Sequence, residues 1–219
     1  MLHKTKGVVF RFTRFRETSI IVTVFTELFG LQSYMVNSVR SAKGKMALFQ
    51  PLTLLDMVVY HRENANINRI KEVKCLHPYE TLHRDIRKSA IALFLNEVLN
   101  KTVKEESHSA EMFQFISQSL MQLDLMPDRF ENFHLVFLIH LSRLLGFGIY
   151  HKDDLATEFP GDDESVNLLN QILSDNWQKT PVSVHQRRSL LNGLLRFYKK
   201  HMETMGELKS IPVLREVLE

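Results

Sequence analysis

Arg40, Lys43 and Lys45 stand within six positions of one another, spaced by Ser41, Ala42 and Gly44, and the whole stretch 34–51 holds no acid. Arg11, Arg14 and Arg16 form a second basic set, with Phe12 and Phe15 between them. Small residues let a backbone approach a partner closely, and clustered cations fix that partner's sign as negative. Cations track phosphates and aromatic faces accept stacked bases, the means by which small barrel modules hold single strands without reading sequence. Phe15 and Tyr34 are the aromatic candidates for exposure, whereas Phe10 and Phe12 read as core. The candidate DNA-binding residues are therefore Arg11, Arg14, Arg16, Tyr34, Arg40, Lys43 and Lys45. Taken alone, a solvated hairpin loop explains 37–51 equally well.

Other chemistry finds little support. The chain has no Gly-x-x-x-x-Gly-Lys, no Gly-x-Ser-x-Gly and no His-Glu-x-x-His. His134 and His140 lie six residues apart on one predicted helix, so they do not share a face and make no ligand pair. The acidic run Asp153, Asp154, Glu158, Asp162, Asp163, Glu164 lacks the alternating order of a calcium loop. Cys75 is the single cysteine, which excludes an internal disulfide and a cysteine-rich zinc site and fits a reducing cytosol. No catalytic residue and no cofactor is assigned; a hydrolase using His and Asp lacks any constellation to support it.

Two kinds of element must position the basic residues. Up to about residue 76 the chain alternates with period two. Val8/Phe10/Phe12, Ile20/Val22/Val24, Gln32/Tyr34/Val36, Thr53/Leu55/Met57/Val59 and a weaker, polar Ile70–Leu76 give five short strands. Five strands in this length suit a small closed barrel, with the 37–51 loop at its rim. After Pro78 the period lengthens to three and four. The pattern predicts a long helix over about 79–102, a second opening at Ser109 with Glu111 in its first turn, and a third ending at Gly146. Residues 148–164 read as irregular. A last clear helix opens at Ser183 with the capping-box partner Gln186, and the 207–214 tail returns to the body.

At 219 residues and 44% apolar, the chain has material for a substantial core, and no run of eighteen apolar residues suggests a membrane span. The net charge of +3 is unevenly placed. Residues 1–75 hold twelve Lys/Arg against five Asp/Glu, a net of +7, which leaves −4 for the remainder. Charge segregated in this way speaks of partners, and the commonest cytosolic polyanion is nucleic acid.

Several ordered segments resemble the RecO family of bacterial recombination mediators. They are Thr5-Lys6-Gly7-Val8-Val9, then Glu17-Thr18-Ser19 through Val24-Phe25-Thr26 to Gly30, and the rim loop followed by Leu48-x-Gln50-Pro51-Leu52. Leu144-Leu145-Gly146-Phe147-Gly148, Arg187-Arg188-x-Leu190 and Leu208-Lys209-Ser210-x-x-Val213-Leu214 complete the set. The resemblance implies an α+β fold: a five-stranded OB-type barrel over 1–77, then an α-helical domain over 78–219. It also implies a non-enzymatic role: binding single- and double-stranded DNA, annealing complementary strands, and loading RecA together with RecR on strands coated by single-strand-binding protein (SSB), whose acidic C-terminal tail it contacts. A cytoplasmic, nucleoid-associated location follows. Arg40 and Lys43 match the family's loop Arg and Lys, whereas the loop Lys-Gly is Asn37-Ser38 here, which leaves one cation fewer for the phosphates. Many members carry a four-cysteine zinc module after the Leu-Gly-Phe turn; 149–164 has no cysteine, so no structural zinc is expected. A protein-interaction adaptor is the alternative, its basic surface serving acidic protein tails, with Lys101, Arg129 or Arg143 beside apolar stripes as candidates.

Overall fold

The computed structural model describes residues 1–37, 39, 45–62, 65–104, 109–159, 162–173 and 177–218. Arg40 and Lys43 lie outside them. Five strands, β1 (Leu2–Phe15), β2 (Ser19–Thr26), β3 (Gly30–Val36), β4 (Leu54–Tyr60) and β5 (Asn68–Cys75), close into a barrel in the order β1-β2-β3-β5-β4. Its interior is the alternating set predicted from sequence: Ile20, Val22, Val24, Leu55, Met57 and Val59, with Val9, Tyr34, Val39 and Phe49. β1 spans both edges. Its first half pairs with β4 and its second with β2, and a bulge between Val9 and Arg11 turns the strand. Gly7 sits where β1 crosses the barrel; a Cβ there would lie 2.5 Å from Val24 Cγ1 and 2.9 Å from Met57 Cε.

Six helices follow among the described residues: α1 (Ile86–Thr102), α2 (Ser109–Leu125), α3 (Phe133–Leu144), α4 (Asp163–Ile172), α5 (Val184–His201) and α6 (Ile211–Val217). The chain divides into two compact units, Met1–Glu80 with Val103–Gln122, and Thr81–Thr102 with Leu123–Glu219. No described helix is long and apolar enough to cross a membrane.

Three predicted boundaries shift. α1 opens at Ile86 rather than near 79, because the Asp124 carboxylate accepts the Thr81 and Leu82 amides at 2.8 and 2.7 Å and holds them in a turn. The 148–164 stretch is not wholly irregular, since a 3₁₀ helix covers Lys152–Glu158. Its carboxylates serve the backbone and neighbouring cations. Asp154 accepts from the Tyr150 and His151 amides at 2.8 and 2.9 Å, Asp162 caps α4 by accepting from Ser165 N at 3.0 Å, and buried Glu158 pairs with Arg196 and Lys200. The tail forms α6, with Pro212 in its first turn and Glu97 accepting from Lys209 N, Ser210 N and Ser210 Oγ. The predicted capping box at Ser183 and Gln186 is present.

Candidate nucleic-acid interface

The β1–β2 hairpin displays the first basic set. Arg11, Arg14 and Arg16 are all exposed, and among the described residues none of them forms an ion pair. They do not share one row. Arg11 pairs with Thr23 on the outer face, while Arg14 pairs with Ile20 in the row of Phe12 and emerges only because the strand ends at the barrel rim. Arg16 takes a positive φ of 54° in the turn, and its guanidinium lies over the Phe15 ring at 5.3 Å.

The loop after β3 begins at the same rim. Arg14 neighbours Ile20, and Ile20 neighbours Val36, the last residue of β3. Ser19 Oγ donates to Asn37 Oδ1 at 3.1 Å, tying the loop's first residue to the start of β2. Val39 and Phe49, buried in the barrel core, anchor the loop on either side of 40–48. Lys45 opens the 3₁₀ helix Lys45–Phe49.

Tyr34 corrects the expectation of an exposed stacking face. Its ring is 0% exposed inside the barrel, beside Val22 and Asn68 across the strands. Period-two alternation already assigns position 34 to the interior with Val22, and the rule of alternate faces overrides its nearness to the basic loop. Burial pushes the phenol well above its ordinary pKa, with the neighbouring Thr26 hydroxyl opposing. Tyr34 therefore cannot receive a base.

Sequence reasoning missed three residues at the β4–β5 hairpin. Tyr60 is 49% exposed, and it pairs directly with exposed Arg69; Arg62 is exposed nearby. These residues line one open groove at the β4–β5 hairpin with Met1, Ile67 and Asn68. The signal is present in the charge of the segment, but alternation alone starts the fifth strand at Ile70, one residue too late to assign Arg69 a face.

In the helical unit, the three cations named from sequence have local duties or none. Lys101 Nζ donates to the Glu207 carbonyl at 2.8 Å, Arg143 Nε donates to the Ile149 carbonyl at 2.9 Å beneath Tyr150, and Arg129 is exposed with φ 57°. Three other arginines surround a cleft instead. Arg187, Arg188 and Arg215 border an apolar floor of Leu191, Leu214 and Leu218, with His134 at its base. Arg187 donates to Asn132 Oδ1 at 3.0 Å and the Leu218 carbonyl at 3.1 Å, while Arg215 Nε and His134 Nδ1 are buried without a hydrogen-bond partner. Burial first, and the Arg187 charge second, hold the His134 pKa down at about 3. Among the described residues no group of three or more His, Cys, Asp or Glu could hold a metal ion.

Comparison with known proteins agrees with this architecture. Residues 1–79 match the family described as Recombination protein O N terminal, and residues 83–216 match Recombination protein O C terminal. DNA repair protein RecO of Flavobacterium johnsoniae is 34% identical over 236 aligned residues, covering 98% of each chain. DNA repair protein RecO of Bacteroides fragilis is 35% identical over 243 aligned residues, covering both chains in full. A barrel with a basic rim, a helical unit following it in sequence, and full-length relatives of one kind converge: the chain belongs to the RecO family.

Proposed function

We propose that this chain is a non-enzymatic DNA-binding mediator of repair and recombination. Its barrel holds single-stranded DNA, it also binds duplex, and it anneals complementary strands. With RecR it helps load RecA on strands coated by SSB. The observation that carries this reading is the set of exposed arginines at the β1–β2 hairpin, unneutralised among the described residues, within a segment of net charge +7. The same reading counts Arg40, Lys43 and Lys45 among the DNA-binding residues on their sequence; Arg40 and Lys43 lie outside the described residues. Each arginine removed from the phosphates should flatten the salt dependence of single-strand binding by about 0.7 in log–log slope. An electrophoretic or anisotropy assay across a salt series should therefore show Arg11→Ala with Arg14→Ala weaker on every sequence alike, its slope flatter by roughly 1.4. Wild-type affinity and slope in that variant would remove the hairpin from the interface.

A second reading is favoured by the helical cleft. Arginines around a leucine floor suit an acidic peptide with an apolar end, the chemistry of the SSB tail. Titrating such a peptide with and without competing DNA separates the surfaces: independent binding places the tail on the helical cleft, and competition places it on the barrel.

A further inference from the structure

Strand register draws one outward-facing row around the barrel. Leu2 on β1 neighbours Tyr60 on β4, Tyr60 neighbours Arg69 on β5, Arg69 neighbours Met35 on β3, Met35 neighbours Ile21 on β2, and Ile21 neighbours Thr13 back on β1. The flanking residues Val59, Ile70, Tyr34, Val22 and Phe12 pack on or within the core, so the row's outward sense is consistent on every strand. We infer that single-stranded DNA curves around the barrel along this row, with Tyr60 as the base-stacking platform and Arg69 beside it on the phosphates. The inference rests on the DNA-binding reading and names its site.

Three observations carry it. First, Tyr60 is the one strongly exposed aromatic among the described residues of the barrel. The other rings are occupied: Tyr34 is interior, Phe12 packs on the core, the Phe15 face lies under Arg16, and Phe29 stacks on His61 at 3.8 Å. Second, the row holds a cation and no carboxylate, and among the described residues neither Arg62 nor Arg69 has an ion pair. Third, Arg62 and Asn68, which flank these groups, are tied to one another and to β3. Buried Asn68 accepts the Arg62 amide at 3.0 Å through Oδ1 and donates to Gln32 Oε1 at 3.2 Å through Nδ2. An aromatic face next to a guanidinium on a held strand end is the pairing that stacks a base and neutralises its phosphate. Four strand-to-strand steps lead from Tyr60 to Thr13, about 19 Å of arc around the closed barrel at ~4.8 Å each, the scale of the shorter single-strand footprints of such barrels.

The test uses the full chain and a fluorescent oligodeoxythymidine, with anisotropy read across a salt series. Tyr60→Ala should bind about 5- to 160-fold more weakly at every salt concentration with an unchanged slope, because it removes stacking and leaves every cation on the phosphates in place. Tyr60→Phe keeps the ring and should match wild type. Arg69→Ala should flatten the slope by about 0.7. If Tyr60→Ala binds like wild type while Arg11→Ala with Arg14→Ala is weakened, the platform is overturned and the DNA reading stands; if wild type itself fails to bind at low salt, both fall. A measurement free of folding effects is photo-crosslinking of wild type to a 5-bromodeoxyuridine oligomer. The expected adduct lies on Tyr60, and an adduct map without Tyr60 overturns the assignment.

Discussion

Replacing Tyr34 by Phe removes one oxygen from the barrel interior and separates two accounts of that residue. The hydroxyl is fully buried, and no hydrogen bond of good geometry reaches it among the described residues; the Thr26 hydroxyl is its polar neighbour. The Thr26 hydroxyl spends its only proton elsewhere. Thr26 Oγ1 donates to the Gly30 carbonyl at 2.9 Å and accepts from Phe29 N at 3.0 Å, and both ends of the Asn68 amide are occupied. A buried polar group left unpaired costs about 1–3 kcal/mol. Deleting it recovers part of that cost, less the weak dispersion attraction of the oxygen for its neighbours, about 0.1–0.2 kcal/mol per atom pair. Tyr34→Phe should therefore stabilise the protein by about 1 kcal/mol, a rise in Tm of roughly 2–4 °C for a chain of this size. Truncation to Ala should cost about 3–5 kcal/mol, because the ring fills the barrel.

Thermal and urea unfolding measure the first quantity, and oligodeoxythymidine binding measures the second. The stabilised Phe variant should bind DNA as wild type does. Destabilisation by about 1 kcal/mol or more would show that the hydroxyl has a partner inside the barrel, since that is the size of a satisfied buried hydrogen bond. A tenfold drop in DNA affinity at unchanged stability would place Tyr34 on the nucleic acid and undo the strand register on which the Tyr60 platform depends.

Two further outcomes probe the helical unit. His134 is held neutral by burial, its pKa about 3 against 6.5 for an ordinary histidine, so the unfolded chain binds the proton more readily and stability falls as pH drops below 6.5. Between pH 7.5 and 5 this single group should cost about 2 kcal/mol, and the stability difference between wild type and His134→Leu should shift by that amount; an equal difference at both pH values would refute the assignment. Gly193→Ala in α5 gains about 1 kcal/mol of helix propensity, but the new methyl falls within the buried Phe159 ring, where overpacking costs about 1–3 kcal/mol. Net destabilisation in calorimetry is expected, and a higher Tm would show that Phe159 yields.

Where side-chain period alone decides structure, the sequence is readable. Ile20, Val22, Val24, Met57 and Val59 face inward as their alternation requires, Ser183 and Gln186 cap α5 as their spacing requires, and Gly146 ends α3 with φ +87°. What escapes depends on residues far apart in the chain. The start of α1 is set by Asp124, 42 and 43 positions from its partners, and the approach to α6 by Glu97, 112 and 113 positions away. No local window contains both members of such a pair. Tyr34 shows a different failure, in which the chemistry of a neighbouring loop is weighed above the parity of the strand.

The binding row owes its composition to two bulges, and neither has a signature in the alternation. An unbroken β1 would send Val9 and Arg11 to the same face, and Val9 is interior. The extra residue, Phe10, instead brings Arg11 opposite Thr23 on the outside and leaves Phe12 opposite Val22. In β5 the register skips Lys71, because Val58 pairs with Glu72 while Val59 pairs with Ile70. Without that skip Tyr60 would sit beside Ile70, and Lys71 would face the core next to Val59. With it, Ile70 packs inward and Arg69 stands at Tyr60's side. One inserted residue in each of two strands thus keeps Arg11 and Lys71 out of the interior, where each would cost several kcal/mol to bury, and leaves both exposed on the outer face. The placement of charge follows from where the ladder slips rather than from how many basic residues the segment holds.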